Sequence, residues 1–389
     1  MSRRAARAGS VAEMRELARR RLPGPIFDLV EGGAEDEVTM RRNEAAFRAA
    51  RLLPLAFADV AERDTATTVL GTPLRSPLLL APTGAARVLH RDAELAVARA
   101  AAARGVGYVH GAVSGYPVEQ IARIAPSWWY QLYLSADRGR IQAVIDRVAA
   151  LDCRVLVLTV DVAAFGNRER DRRHGLTLPL RFSPGLALQC ATRPRWTLEL
   201  LRGNLPQRDT LDGRVSPFAT QRQILRSLYP VTEDDLAWLR GAWPHRLVVK
   251  GVLNPADAEL ATRLGVDGVI VSNHGGRQLD RAPATLEALP GVVDAVDGRA
   301  EVLLDGGVRR GADVLTALGL GARAVLVGRP YLYGLAIGGQ AGVERVIEVL
   351  GTELDRTMAL TGVRSVKAID PGTVTAGPPV ACSVAADTP

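Results

Sequence analysis

From residue 78 onward the chain alternates short runs rich in Val, Ile and Leu with longer stretches of helical periodicity. The runs are LLLAP (78–82), GYVHG (107–111), WWYQLY (128–133), RVLVLTVD (154–161), RLVVKG (246–251), GVIVSNHGG (268–276), AEVLLDGG (300–307) and ARAVLVGR (322–329). Most are apolar at successive rather than alternate positions, the pattern of strands covered on both faces by helices. Between them AELAVARAAAARG, RGRIQAVIDRVAALD, NPADAELATRLG and RGADVLTALGLG read as helices, each expected to end near a glycine in the left-handed C-terminal position. Eight such βα units predict an α/β fold, a closed (β/α)8 TIM barrel; an open doubly wound sheet is the alternative.

Three segments stand outside the repeat. Residues 1–77 hold two helix-like stretches and a loop and are expected to form an N-terminal helical cap over the base of a barrel spanning 78–369. Strand four ends at 161 and strand five begins at 246, a separation far beyond any other pair. The insertion after strand four, about 166–230, mixes Pro, Arg, Trp and Leu. A segment of that length beside a barrel mouth is a lid or an interaction surface. The last stretch, 370–389, lacks periodicity and is expected to be a disordered tail.

Composition excludes several functions. No apolar run approaches the roughly 20 residues of a membrane span, and MSRRAARAGSVAEMRELARRR has no hydrophobic stretch behind its arginines, so a cytoplasmic protein is expected. The formal charge of +7 comes from arginines scattered among nearly as many acids, and aromatic residues make up only 5%, which speaks against nucleic acid. Cys153, Cys190 and Cys382 have no metal-ligand or disulfide spacing, so no metal is expected. Only Lys250 and Lys367 among the 49 basic residues are lysines, so a lysine marks a place where a compact charge is wanted.

A barrel of this kind places its chemistry at the C-terminal ends of its strands. Tyr133 ends strand three, Asp161 and Arg168 follow strand four, and Lys250 ends strand five. His274 and Arg277 follow strand six, Asp305 ends strand seven, and Arg329 follows strand eight. Any one of these has an ordinary explanation as a loop residue, but together they converge on one rim. LLDGGVRRG and LVGRP each turn from a strand through glycine into a helix, so free N–H groups and Arg309 and Arg329 suit a phosphate; glycines that merely permit tight turns are the other reading. A lysine buried beneath such a site needs an anion or an electron-rich acceptor opposite it.

The segments SNHGGRQLD, LLDGGVRRGADVL, GARAVLVGRP, WYQLY and LTVD…GNRERD resemble the FMN-dependent α-hydroxy acid dehydrogenases and oxidases, over residues 12–365. EGGAEDE near 31, GNRERD at 166, RPRWTLEL and LYGLA at 332 are similar to the mandelate dehydrogenase branch. The resemblance implies His274 as catalytic base with Asp161 behind its imidazole. Arg168 and Arg277 then grip the substrate carboxylate, and Tyr133 meets the hydroxyl or keto oxygen. FMN would rest on Pro82, Thr83 and Gly84, with Gln131, Thr159, Lys250 and Ser272 around the ring and ribityl chain. Asp305, Gly306, Gly307, Arg309, Gly328 and Arg329 would hold ribityl and phosphate.

Two departures matter. Leu29 stands where most relatives have a tyrosine, and Gly111 where they have a serine, which implies a more apolar pocket suited to an aromatic 2-hydroxy acid. Gly84, where many oxidases have alanine, favours a quinone-type acceptor over oxygen. The insertion, with Trp196 among its arginines, reads equally as a membrane-surface contact or a soluble lid. The family also implies a homo-oligomer, expected as a tetramer. An oxygen-using hydroxymandelate, mandelate, lactate or glycolate oxidase, an FMN-binding scaffold without activity and a different phosphate-binding barrel are the competing readings.

Overall fold

The computed structural model describes residues 3–84, 86–174, 184–202, 208–210, 213–215 and 229–375. Eight parallel strands close into a barrel: β1 (Leu78–Leu80), β2 (Gly107–Gly111), β3 (Trp128–Leu132), β4 (Val155–Thr159), β5 (Arg246–Val252), β6 (Gly268–Val271), β7 (Glu301–Asp305) and β8 (Ala324–Val327). Each lies within the run expected to form it, except that β5 continues one residue further, to Val252. The ring shuts through Val325↔Leu78 and Leu326↔Leu79, so the open-sheet alternative is set aside.

The continuous apolar pattern has a direct cause. Within the barrel Leu79, Val109, Trp129, Val157, Val248 and Ile270 fill the interior, while their neighbours Leu78, Leu80, Tyr108, Tyr130, Leu156 and Val249 pack outward against the helices. Both faces of every strand are therefore dry, and a polar residue in mid-strand would meet no water on either side. Polar side chains are confined to the strand ends. That confinement places the site.

The helices Ala93–Arg104, Arg138–Ala149, Pro255–Arg263 and Gly311–Gly319 alternate with these strands. Gly105, Gly265 and Gly321 take positive φ just beyond three of them as expected, but after Arg138–Ala149 that position falls to Asp152, at φ 64°. Aspartate is one of the few residues that tolerates this conformation.

The N-terminal segment corrects the expectation of a cap over the base. It holds four helices, Arg3–Arg7, Val11–Arg21, Gly24–Glu31 and Val38–Ala49, and the last two lie at the opposite end, against the mouth. Ala34 N–H donates to Gly276 O at 2.8 Å and Glu35 N–H to Asn167 O at 2.8 Å. The base is closed instead by the hairpin Thr67–Val69/Thr72–Leu74, whose Val69, Leu70 and Leu74 complete the interior core. Trp129 Nε1 donates to Thr72 Oγ1 beneath it.

Two further expectations change. The tail carries ordered backbone as far as Thr375, because Val374–Thr375 pairs antiparallel with Arg51–Leu52; residues 376–389 lie outside those described. Within the insertion, Trp196 is buried and its indole N–H donates to Val88 O at 2.9 Å. It anchors the helix Pro194–Arg202 to the barrel and does not face a membrane. Among the described residues no helix is long and apolar enough to cross one.

Candidate active site

One cavity opens at the C-terminal ends of the strands. At the end of β1 it is lined by Pro82, Thr83 and Gly84, at the end of β3 by Gln131 within the strand and Tyr133 just past it, at β4 by its last residue Thr159 and by Arg168 in the following loop, and at β5 by Lys250 within the strand. His274 and Arg277 line it beyond β6, Asp305 at the last position of β7 with Gly306, Gly307 and Arg309 beyond it, and Gly328 and Arg329 beyond β8. Asp161 and Ser272 stand one layer behind and act through neighbours. Of the eighteen residues singled out in the sequence, sixteen therefore line this cavity, among others, and two stand behind it.

His274 Nδ1 lies 3.1 and 3.3 Å from the two Asp161 carboxylate oxygens. Burial of Asp161 works against its ionisation, but the charge and hydrogen bond of His274 and the charge of Lys250 outweigh it, leaving its pKa below the ordinary value. An ionised Asp161 accepts from Nδ1–H, so that in the neutral imidazole the lone pair is the one on Nε2. The imidazole is aimed by its backbone. His274 has φ 57°, a conformation side-chain-bearing residues rarely adopt, and its N–H donates to Ser272 Oγ at 3.1 Å.

Lys250 is buried with its ammonium 2.9 Å from Asp305 Oδ2, and it donates to Ser272 Oγ at 2.9 Å. Burial lowers its pKa, yet the charges of Asp305 and Asp161 and the Asp305 hydrogen bond raise it further, so the ammonium stays charged. Gln131 Nε2 donates to Thr159 Oγ1 at 3.0 Å, and Gln131 Oε1 accepts from Ala112 N–H, which fixes both side chains beside the cavity.

Arginines crowd the rest of the mouth. Burial depresses the pKa of Arg277 strongly, with Arg168 and Arg329 adding repulsion; Arg168 is also depressed by burial, against the pull of Asp171 and Tyr133. Buried guanidinium groups that repel one another form a site that gains when an anion enters. Arg329 donates to the carbonyls of Val30, Glu31, Gly32 and Gly275, tying the helix Gly24–Glu31 to the barrel from within the cavity wall.

Sequence reasoning missed the supports. Asn43 and Asn273 exchange two side-chain hydrogen bonds of 2.8 Å, and Asp280 accepts from Val38 and Thr39 N–H groups, so the 38–49 helix and the loop after β6 are locked together. Gln278 donates to Asp161 O and Ala164 O. Arg140 and Tyr229 also line the mouth. Asn273, Gln278 and Asp280 lie inside the quoted SNHGGRQLD motif, which was the only signal; their partners are remote in sequence.

A barrel mouth that gathers buried cations, a histidine–carboxylate dyad and strand-to-helix glycine turns defines a cofactor-dependent barrel enzyme. The chain belongs to the FMN-dependent dehydrogenase family, whose model matches residues 18–376. It is 44% identical to an L-lactate oxidase of Nostoc sp. over 92% of this chain and 95% of that one. It is 38% identical to an (S)-mandelate dehydrogenase of Pseudomonas putida, covering 93% and 92%. The crystal structure of a monotopic membrane protein, (S)-mandelate dehydrogenase, superposes with a TM-score of 0.90 at 37% identity, covering 95% of this chain and all of that one.

The cofactor is therefore FMN, and the reaction class is FMN-dependent oxidation of a 2-hydroxy acid. The residues present fit that group. Asp305 Oδ1 is a buried acceptor with no hydrogen-bond partner among the described residues, suited to a ribityl hydroxyl, while Arg309 and the N–H groups of the Gly306–Gly307 turn suit a phosphate.

Proposed function

We propose that the protein oxidises an aromatic 2-hydroxy acid of the mandelate type to the 2-keto acid, with His274 as base. The observation that carries this reading is the His274–Asp161 dyad set in the same cavity wall as Arg168 and Arg277. Those two arginines hold the substrate carboxylate, the planar fork of a guanidinium matching its two oxygens. Tyr133 supplies a hydroxyl to the substrate oxygen; burial raises its pKa, so it enters as a donor. His274 Nε2 takes a proton as the carbinol carbon is oxidised, and Asp161 stabilises the imidazolium. Bound FMN supplies the two-electron acceptor. Lys250 keeps a fixed positive charge in the cavity wall, where arriving electron density is stabilised.

The preference for an aryl side chain rests on the wall. Leu29 lines the cavity, and a Cβ added at Gly111 would meet nothing nearer than 3.6 Å, so this glycine leaves room that packing does not require. Val113, Leu134 and Phe165 extend the apolar surface. The electron acceptor in this reading is a quinone-type carrier, reached at a membrane surface through the insertion, where Leu188, Leu198 and Arg195 are exposed. A homo-oligomer, a tetramer in this reading, would cover the exposed Leu53, Leu55, Phe57 and Leu360.

The test is a panel of 2-hydroxy acids followed by anaerobic bleaching of the flavin. Mandelate and 4-hydroxymandelate should bleach faster than lactate or glycolate, with the S enantiomers preferred. The similarity to a lactate oxidase supports a second reading with a small aliphatic substrate. A faster reaction with lactate would establish it and remove the first.

A further inference from the structure

Arg168 and Arg277 come from different barrel loops, and neither has a carboxylate within ion-pair distance among the described residues. Their positions are set by a third element, the turn between the helices Gly24–Glu31 and Val38–Ala49. Gly32 O accepts from Arg277 Nη1 at 2.7 Å, and Ala34 N–H donates to Gly276 O on the same loop. Glu35 N–H donates to Asn167 O, next to Arg168. Just after Arg168, Arg170 places Nη2 2.5 Å from Glu37 Oε2 and Nη1 3.4 Å from Asp28 Oδ1, and His174 Nε2 lies 2.7 Å from Asp28 Oδ2.

Glu37 sits at the centre of this arrangement. Its other oxygen accepts Gly33 N–H at 3.0 Å, so one carboxylate joins the turn to the Arg168 loop. It is 7% exposed and has φ 60°, and Glu35 has φ 45°. Two glutamates in a region that favours glycine represent local strain, held only because their contacts outweigh it. The two arginine loops also touch directly: a Cβ on Gly166 would fall 2.1 Å from Arg277 O. A shift of either loop is therefore transmitted to the other.

We propose that Glu37, acting through Arg170, is a positioning residue of the substrate carboxylate clamp, holding Arg168 and Arg277 at the spacing that one carboxylate requires. The inference rests on reading those two arginines as the clamp. Glu37 touches neither substrate nor cofactor; it fixes the register of the groups that do. A misplacement of such groups by about 1 Å is costly because both arms of the fork must be met at once.

The experiment uses FMN-loaded protein and measures binding, not turnover. Benzoylformate, pyruvate and the corresponding neutral amides are titrated against the flavin absorbance of the parent, E37Q, R170Q and the double variant. Glutamine at 37 keeps an acceptor for Gly33 N–H while removing the charge that Arg170 meets, so the fold has reason to survive; flavin content and melting temperature check that it does. The expected result is a Kd for the 2-keto acids raised roughly 10- to 100-fold, with amide binding nearly unchanged. The double variant should lose no more than either single variant, as a coupled pair requires. Parent-like carboxylate binding in E37Q overturns the inference, as does an equal loss for carboxylates and amides, which marks general loosening. A parent that binds none of these carboxylates overturns the clamp itself, and with it the proposed function.

Discussion

At the scale of single residues, the site was legible because a barrel leaves polar groups few places to stand. His274, Lys250 and Asp305 could be assigned to one cavity from their offsets beyond apolar runs, and all three line it. What could not be read was their support: Ser272 serving both Lys250 and the His274 backbone, or Asn43 reaching Asn273, depends on contacts between remote segments. His274→Ala should keep FMN bound, since the cofactor's proposed contacts lie elsewhere, and should slow anaerobic flavin reduction by roughly 10²- to 10⁴-fold. Stopped-flow reduction at the parent rate would remove His274 as the base. Arg277→Lys keeps a charge but loses the fork, and its Nη1 contact to Gly32 O goes with it. A marked rise in KM with a fall in kcat is expected. If both constants stay near the parent's, the carboxylate is held by something else.

Elements were legible where one physical cause acted alone. Burial on both faces specified all eight strands, but helix ends and chain segments decided by tertiary contacts were not: Asp152 replaces the expected glycine, Trp196 turns inward, and the hairpin 67–74 rather than the N-terminal helices closes the base. The turn entering the helix Gly311–Gly319 yields a prediction at this scale. Asp313 Oδ2 accepts from Arg309 and Arg310 N–H at 2.7 and 2.9 Å, shaping the loop proposed to hold phosphate. Burial pushes its pKa up to about 6, although those N–H groups and the charge of Arg309 oppose the shift. Because the folded value lies above the unfolded one, near 4, this group's stabilising contribution is complete below about pH 4 and is lost as pH rises through about 6. Asp313→Asn keeps an acceptor oxygen without the charge. Its melting temperature, compared with the parent's, should therefore be more favourable at pH 8 than at pH 5. Scanning calorimetry showing a pH-independent difference, or the opposite order, would contradict the assignment.

For the whole molecule, the barrel supplies the dry scaffold and the helices Gly24–Glu31 and Val38–Ala49 pack against its mouth. With Trp196 committed to the core, the case for a membrane surface rests, among the described residues of the insertion, on Leu188, Leu198 and the cation Arg195, exposed on the helices Pro184–Ala191 and Pro194–Arg202. Exposed leucines beside an arginine suit an interface carrying anionic headgroups, where apolar burial and charge attraction add. Association through these groups should be partial and should fall as salt screens the charge. A quinone-type acceptor dissolved in that surface would then lie near the mouth, while oxygen would have no such advantage. The FMN-loaded, substrate-reduced protein should accordingly be reoxidised slowly in air-saturated buffer and faster by a quinone analogue. Sedimentation with anionic vesicles should be salt-sensitive and weakened by Leu188→Glu with Leu198→Glu, two substitutions outside the cavity that should leave reduction by substrate intact. Rapid reoxidation in air with stoichiometric peroxide, and no vesicle association at low salt, would instead make the protein an oxidase and the insertion a lid.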